Sequence, residues 1–270
     1  MSVKLIAVDM DGTFLSDNKS YNRARFNLQY QQMQRRGIKF VVASGNQFYQ
    51  LTRFFPEIAS EITFVAENGA YVFSENKPLF CGHIPFTDVR HIMAELAQME
   101  QVYTVVCGEQ GAWLHHTAPD SVAALMSRHY YRLQRYHDVA ELPDDIFKFA
   151  LTLDDSLIPQ LSAHLGSVLN GSVTPVTSGF GFVDLIIPGV HKANGLKILQ
   201  QHWDIDDAAM LAFGDSANDK EMLTMAGYSF SMANASEEIK QVARYQAGHN
   251  NEEAVLDIID QALEGCAPFY

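Results

Sequence analysis

Residues 4–15, KLIAVDMDGTFL, decide how this chain folds. Leu5-Ile6-Ala7-Val8 is an unbroken apolar run, which suits a strand of a parallel sheet covered on both faces. The run stops on Asp9 and Asp11, one residue apart. Carboxylates that close repel each other, and the end of a buried strand is unfavourable for both unless a cation offsets their charge. Taken alone, D-x-D-G-T also reads as a simple turn, because Asp, Gly and Thr are common turn formers.

Working outward, Ser20 can cap a helix through YNRARFNLQYQQMQRR, stopped at Gly37, with Arg35 and Arg36 well placed at its C-terminal end. IKFVVA (38–43) is a second apolar strand, so the order is strand, helix, strand, a right-handed βαβ unit. A helix follows over about 46–55, and ITFVAENGAYVF (62–73) gives two strands around a turn at Asn68-Gly69. The C-terminal third repeats the alternation. KANGLKILQQHW is helical, AMLAFG is a strand, NDKEMLTMAG a helix closed by Gly227, and YSFSM a short strand. ASEEIKQVA, capped by Ser236, and EEAVLDIIDQALEG are further helices. The pattern predicts an α/β fold with a doubly wound, mostly parallel sheet, a Rossmann-like core.

The middle differs. VYTVVC, AWLHH, FKFALTL and GFVDLII read as strands mixed with helices near 87–100 and 156–169, an α+β insert with an antiparallel sheet. The expected plan is a discontinuous core of residues 1–82 and 187–270 with a cap of residues 83–186.

Composition narrows the function. Apolar residues make up 47 % and charged residues 19 %, as in an ordinary soluble globular protein. The net charge is −13, with 32 acidic against 19 basic residues, which weakens any nucleic-acid reading because phosphate-backbone affinity rests on Lys and Arg. Small anionic substrates remain open. Cys81, Cys107 and Cys266 form no CxxC pair and are odd in number, which argues against a disulfide framework and fits a reducing compartment. No apolar run reaches the roughly 18–20 residues a bilayer requires, and the N-terminus lacks a signal-peptide core. A cytoplasmic protein with no membrane or nucleic-acid partner is expected, and a monomer is favoured.

Ligands of open α/β sheets bind beyond the carboxyl ends of the strands. Three strand ends here finish in polar residues: Asp9-Met10-Asp11-Gly12, Ser44-Gly45-Asn46 and Gly214-Asp215-Ser216, with Lys192 ahead of the ANGLKIL helix. In outline this is a metal-assisted phosphate site. A carboxylate can attack phosphorus, but only after a cation neutralises the approach of two anions. Mg²⁺ held by Asp9 and Asp215 would do so, and would make the Asp9/Asp11 pair tolerable. Asp11 is then free to act as general acid and base, while Ser44 and Lys192 hold non-bridging oxygens. Each part has a plainer reading. DMDGTFLSDN resembles a calcium loop, although its Gly is misplaced for one. Ser44-Gly45 fits any strand-to-helix turn, and a lone lysine such as Lys192 is usually solvated. Asp219 sits one helical turn from Asp215 and serves either the ion or the helix dipole.

In that order, Asp9-Met10-Asp11-Gly12-Thr13, Ser44-Gly45, Lys192 and Gly214-Asp215-Ser216-Ala217-Asn218-Asp219 resemble the haloacid dehalogenase superfamily of phosphatases. The insert, ENGA (67–70) and VDLIIPGVHK (183–192) are similar to its Cof-like branch. The resemblance implies Asp9 as nucleophile and Mg²⁺ ligand, and Asp11 as acid/base and, through its carbonyl, a ligand. It also implies Asp215 as a ligand with Asp219 supporting, and Ser44, Gly45, Lys192 and Asn218 around the phosphate. Three departures stand out. Ser44-Gly45-Asn46 replaces the branch's Thr-Gly-Arg, which removes a bidentate anion contact. Lys192-Ala193-Asn194-Gly195 replaces Lys-Gly, and HNNEEAV (249–255) replaces a late Asn-x-x-x-Gly, leaving Asn250 and Asn251 without a carried-over role. Phosphorylated sugars are the substrates the resemblance implies, with a phosphoryl transferase using the same intermediate as the alternative. Specificity is expected from the cap, where RHYYRLQRYH (128–137) and TSGFGF (177–182) are candidate rims.

Overall fold

In the computed structural model, which describes residues 3–99, 102–142, 144–169, 171–179 and 182–269, the opening run is the inner strand of a large sheet. The chain begins β1 (Leu5–Val8), α1 (Arg23–Arg35), β2 (Lys39–Ala43), α2 (Phe48–Thr52), β3 (Thr63–Ala66), β4 (Tyr71–Ser74) and β5 (Lys77–Cys81). It continues α3 (Phe86–Leu96), β6 (Tyr103–Gly108), β7 (Ala112–His115), α4 (Asp120–Met126), β8 (Leu133–Tyr136), β9 (Ile146–Thr152), α5 (Ile158–Val168), β10 (Thr174–Gly179) and β11 (Phe182–Ile186). Last come α6 (Lys192–Trp203), β12 (Met210–Gly214), α7 (Lys220–Met225), β13 (Tyr228–Ser231), α8 (Glu237–Val242), β14 (Tyr245–Gln246) and α9 (Ala254–Glu264).

The first sheet has eight strands in the order β14-β13-β12-β1-β2-β3-β4-β5. Pairing is parallel from β14 to β3 and antiparallel over β3-β4-β5. Leu5 and Ala7 face one apolar layer with Leu196, Leu199, Met222 and Ile239 from α6, α7 and α8. Ile6 and Val8 face the other, with Phe26, Met33 and Ile259 from α1 and α9. Two covered faces require apolar residues at every position of β1, which is why the run is unbroken.

The second sheet runs β10-β11-β9-β6-β7-β8 and is antiparallel except for β7 with β8. One face packs Val89, Ile92 and Leu96 of α3 and Leu165 of α5. Its other face, with Val105, Phe147 and Ala150, packs with Ala70 and Cys81 of the core. The architecture is therefore a doubly wound α/β core bearing an α+β cap, as the alternation of elements implied.

Several local expectations are revised. Ser20 does not cap α1: its carbonyl accepts from the Ser16 amide at 2.9 Å, and the cap is Asn22, which accepts from the Arg25 amide at 3.1 Å. The helix over 46–55 is shorter, Phe48–Thr52, since Pro56 bars helical continuation through Phe55. Residues 128–137, the first candidate rim, lead into strand β8, with Tyr130 and Tyr136 buried. Of the candidate rim TSGFGF, Phe180 and Gly181 lie outside the described residues. All three cysteines are free. Among the described residues no helix is long and apolar enough to cross a membrane.

The sheet and α6 meet closely. A Cβ on Gly195 would stand 2.5 Å from Val65 Cγ1 and 3.1 Å from Val72 Cγ2, and this approach seats the N-terminus of α6 beside the strand ends. On an exposed helix, Gly→Ala stabilises by about 1 kcal/mol. Here overpacking of about 1–3 kcal/mol opposes it, so Gly195→Ala should lower the melting temperature. A rise in thermal melts would show that β3 and β4 yield to the methyl.

Candidate active site

The four polar clusters converge at the carboxyl ends of β1, β2 and β12. Asp9 follows β1 directly and is buried, and Lys192 opens α6 with 1 % exposure. Lys192 Nζ donates to Asp9 Oδ1 at 2.6 Å and to Asp219 Oδ1 at 2.7 Å. Asp219 Oδ2 accepts from the amides of Asp215 at 3.0 Å and Ser216 at 3.1 Å. Both Asp219 oxygens are thus committed, and the carboxylate braces the loop after β12. Asp215 Oδ1 accepts from the Thr13 hydroxyl at 3.0 Å. Gly12 makes that approach possible: its φ is +77°, and a Cβ there would lie 2.5 Å from Asp215 Oδ2.

Burial pushes Asp9 well above the ordinary carboxylate range; Lys192 pulls it back, while Asp219 and Asp215 push it further up. Asp215 is raised to about 6, first by burial and then by Asp219, against the Thr13 hydrogen bond and Lys192. For Lys192, burial works against the charge, but Asp219 and Asp9 outweigh it and hold the ammonium above its usual pKa. The first sequence stretch therefore has its answer in two lysines. Lys192 offsets Asp9, and Lys19 reaches Asp11 Oδ1 at 2.5 Å.

The Asp11 carboxylate does not join the others. Half-exposed, it is held by Lys19 and, at 2.5 Å, by the Asn46 side-chain amide. Asn46 thus stands at the acid/base candidate, at the position where the Cof-like branch carries arginine. Ser44 is buried, and its hydroxyl oxygen accepts from the Asn46 amide at 3.2 Å, which leaves the hydroxyl proton for an anion. Asn218 lies close by, its Nδ2 donating to Asn68 Oδ1 at 3.0 Å. From the cap, His129 rests its ring on Phe182 at 4.9 Å. Burial lowers its pKa and the Asp11 charge partly restores it.

Sequence reasoning missed a second buried group. Lys148 of β9 pairs with Glu67 and, at 3.6 Å, with Asp184 of β11, and donates to the Gly45 carbonyl at 3.0 Å. Its only signal was a lysine inside an otherwise apolar strand, FKFALTL. Asn250 and Asn251 anchor Asp17, donating to its carboxylate at 3.1 and 2.9 Å.

A family model of the haloacid dehalogenase-like hydrolases matches residues 6–259. The chain belongs to that family. This hydrolase is 50 % identical over 269 residues to the 5-amino-6-(5-phospho-D-ribitylamino)uracil phosphatase YbjI of Escherichia coli K12, covering 100 % of this chain and 99 % of that protein. It is 26 % identical over 235 residues to the HMP-PP phosphatase of Cronobacter sakazakii, with 86 % and 85 % coverage. A crystal structure of the Streptococcus mutans UA159 protein SMU.1108c superposes with a TM-score of 0.92 at 36 % identity, covering 97 % of this chain and all of that one.

The haloacid dehalogenase-like site suits a hard divalent cation. Carboxylate oxygens of Asp9, Asp215 and Asp219 lie within 4.8 Å of one another, and burial disfavours the negative charge of Asp9 and Asp215. Asp9 Oδ2 and Asp215 Oδ2 have no hydrogen-bond partner among the described residues, so these two side chains would hold it.

Lys192→Met would leave Asp9 and Asp219 buried without their cation, and breaking such a pair costs about 3–5 kcal/mol. The Asp9 pKa would then rise still further above its unfolded value. Because the folded state would keep a proton the unfolded chain releases, stability falls as pH rises through that window. The deficit of the metal-free variant in thermal melts should accordingly be largest at pH 8 and smaller at pH 5. A deficit independent of pH would contradict this electrostatic account.

Proposed function

We propose that this chain is a Mg²⁺-dependent phosphomonoesterase of small phosphorylated metabolites, phosphorylated sugars and sugar alcohols in particular. The observation that carries the reading is Asp9 itself, a buried carboxylate fixed through one oxygen by Lys192 with the other directed to the Asp215 side. Such a group is held in place for attack and has its charge moderated without being neutralised. In this mechanism the Asp9 carboxylate attacks phosphorus, the ester P–O bond breaks, and Asp11 protonates the departing alkoxide. The result is an aspartyl phosphate on Asp9. Asp11 then takes a proton from water as that water attacks phosphorus, which returns Asp9 and releases inorganic phosphate. The half-exposed position of Asp11 suits a group that must trade protons with leaving group and solvent.

In this reading Ser44, Gly45, Lys192 and Asn218 receive the non-bridging oxygens of the phosphoryl group. Mg²⁺ held by Asp9 and Asp215 supplies positive charge that offsets the phosphate dianion. Support for a polyol substrate comes from the YbjI relative, whose name places its phosphate on a ribityl chain. The three free cysteines suit the cytoplasm.

Asp9→Asn should abolish Mg²⁺-dependent phosphate release from p-nitrophenyl phosphate while circular dichroism stays native; activity retained in that variant would exclude the covalent route. A panel of pentitol, sugar and nucleotide monophosphates tests the substrate class, and turnover of nucleotides with sugars and pentitols ignored would refute it. Added sugar acceptors that consume phosphoryl groups without phosphate release would indicate a transferase instead.

Metal linkage gives a further test. Asp215, raised to about 6, keeps a proton at pH 5 that an incoming cation must displace. Mg²⁺ should therefore raise the melting temperature more at pH 8 than at pH 5, and Asp215→Asn should erase that increment. An equal increment at both pH values would place the ion elsewhere.

A further inference from the structure

Lys148 is a lysine of the cap sheet with 1 % of its surface exposed. Of its three partners, Asp184 belongs to the cap, whereas Glu67 and the Gly45 carbonyl belong to the core. Asp184 in turn accepts from Asn68 Nδ2 at 3.1 Å, and Asn68 Oδ1 accepts from Asn218 Nδ2 at 3.0 Å. The contacts thus run unbroken from the cap to both loops that would receive the phosphate, the one after β2 and the one after β12.

The turn between them is strained. Glu67 and Asn68 both have positive φ, 52° and 56°. Non-glycine residues hold that conformation only where their surroundings dictate it, and such strain gathers at functional sites. The Glu67 amide donates to the Asn46 carbonyl at 3.2 Å, and the Asn68 amide to the Ser44 carbonyl at 3.0 Å. Cap ions therefore clamp the turn from above, while its own backbone holds Ser44 and Asn46 from below. A bulge contributes: Cys107 pairs with Lys148 and Gly108 with Ile146, which leaves Phe147 unpaired on the core-facing side next to Lys148.

We propose that Lys148 and Asp184 are positioning residues that couple seating of the cap on the core to the alignment of Ser44, Gly45 and Asn218 around the transferring phosphoryl group. This rests on the phosphatase reading above. Neither residue touches the reacting atoms; both act through Asn68 and the Gly45 carbonyl. A misplacement of about 1 Å in such groups costs on the order of a hundredfold in rate.

The test compares Lys148→Met/Glu67→Gln, which removes both charges together, with Lys148→Arg and Asp184→Asn, using p-nitrophenyl phosphate and acetyl phosphate with Mg²⁺. In the double variant kcat should fall roughly ten- to a hundredfold for both substrates, with KM held within about threefold. Inhibition by orthovanadate, which mimics five-coordinate phosphorus, should weaken in step. Lys148→Arg should recover most of the rate, and Asp184→Asn should show a smaller loss in the same direction. A folded double variant with wild-type kcat overturns the proposal. So does a loss confined to p-nitrophenyl phosphate, because Lys148 would then be meeting the leaving group. If the double variant does not fold, wild-type kcat in Asp184→Asn overturns it equally. Failure of the phosphatase reading is separate and comes first: the wild-type protein would release no phosphate.

Discussion

One buried ammonium organises the site. Lys192 stands between Asp9 and Asp219, and removing it would strand two negative charges in an interior that cannot solvate them. Its position depends on the seating of α6 against β3 and β4, where the absence of a side chain at Gly195 allows close contact. Asp219, once paired, is free to hold the amides of Asp215 and Ser216. The same ion pair thus fixes the candidate nucleophile and shapes the loop carrying the second candidate metal ligand.

Around that pair the two aspartates of the first motif diverge. Asp9 faces inward to Lys192, and Asp11 faces outward to Lys19 and Asn46. The turn that follows β1 sends the two carboxylates to different surroundings, so their chemistry differs. Thr13 adds a further fixed point by binding Asp215 across 202 positions of sequence. The strand ends supply direction, and the cations supply tolerance for the charge they gather.

Much of this was legible in the chain. The apolar run of β1 and the polar strand ends gave both the doubly wound core and the place of the site, because covered parallel strands cannot carry polar residues elsewhere. The α6 segment KANGLKILQQHW was bounded correctly, since its helical period and its starting residue agree. What local pattern concealed was long-range pairing. Lys192 read as a phosphate contact, yet its first partners are carboxylates far away in sequence. Lys148 went unnoticed within FKFALTL, because nothing local shows that its face of the strand lies against the core. Ser20 and Asn22 are both plausible caps, and only the turn closed by Ser16 and Ser20 decides between them.

The place of β1 in the sheet has a consequence for synthesis. Its neighbours are β2, made soon after it, and β12, which begins at Met210. While the ribosome extends the chain through the whole cap, the β12-facing edge of β1 stays open, and an open apolar edge invites pairing with other chains. The cap sheet, by contrast, has all six of its strands before β12 appears. The nascent protein can fold its insert early while its core waits as a half-sheet, catalytically mute, until the last third arrives to close both the sheet and the carboxylate cluster.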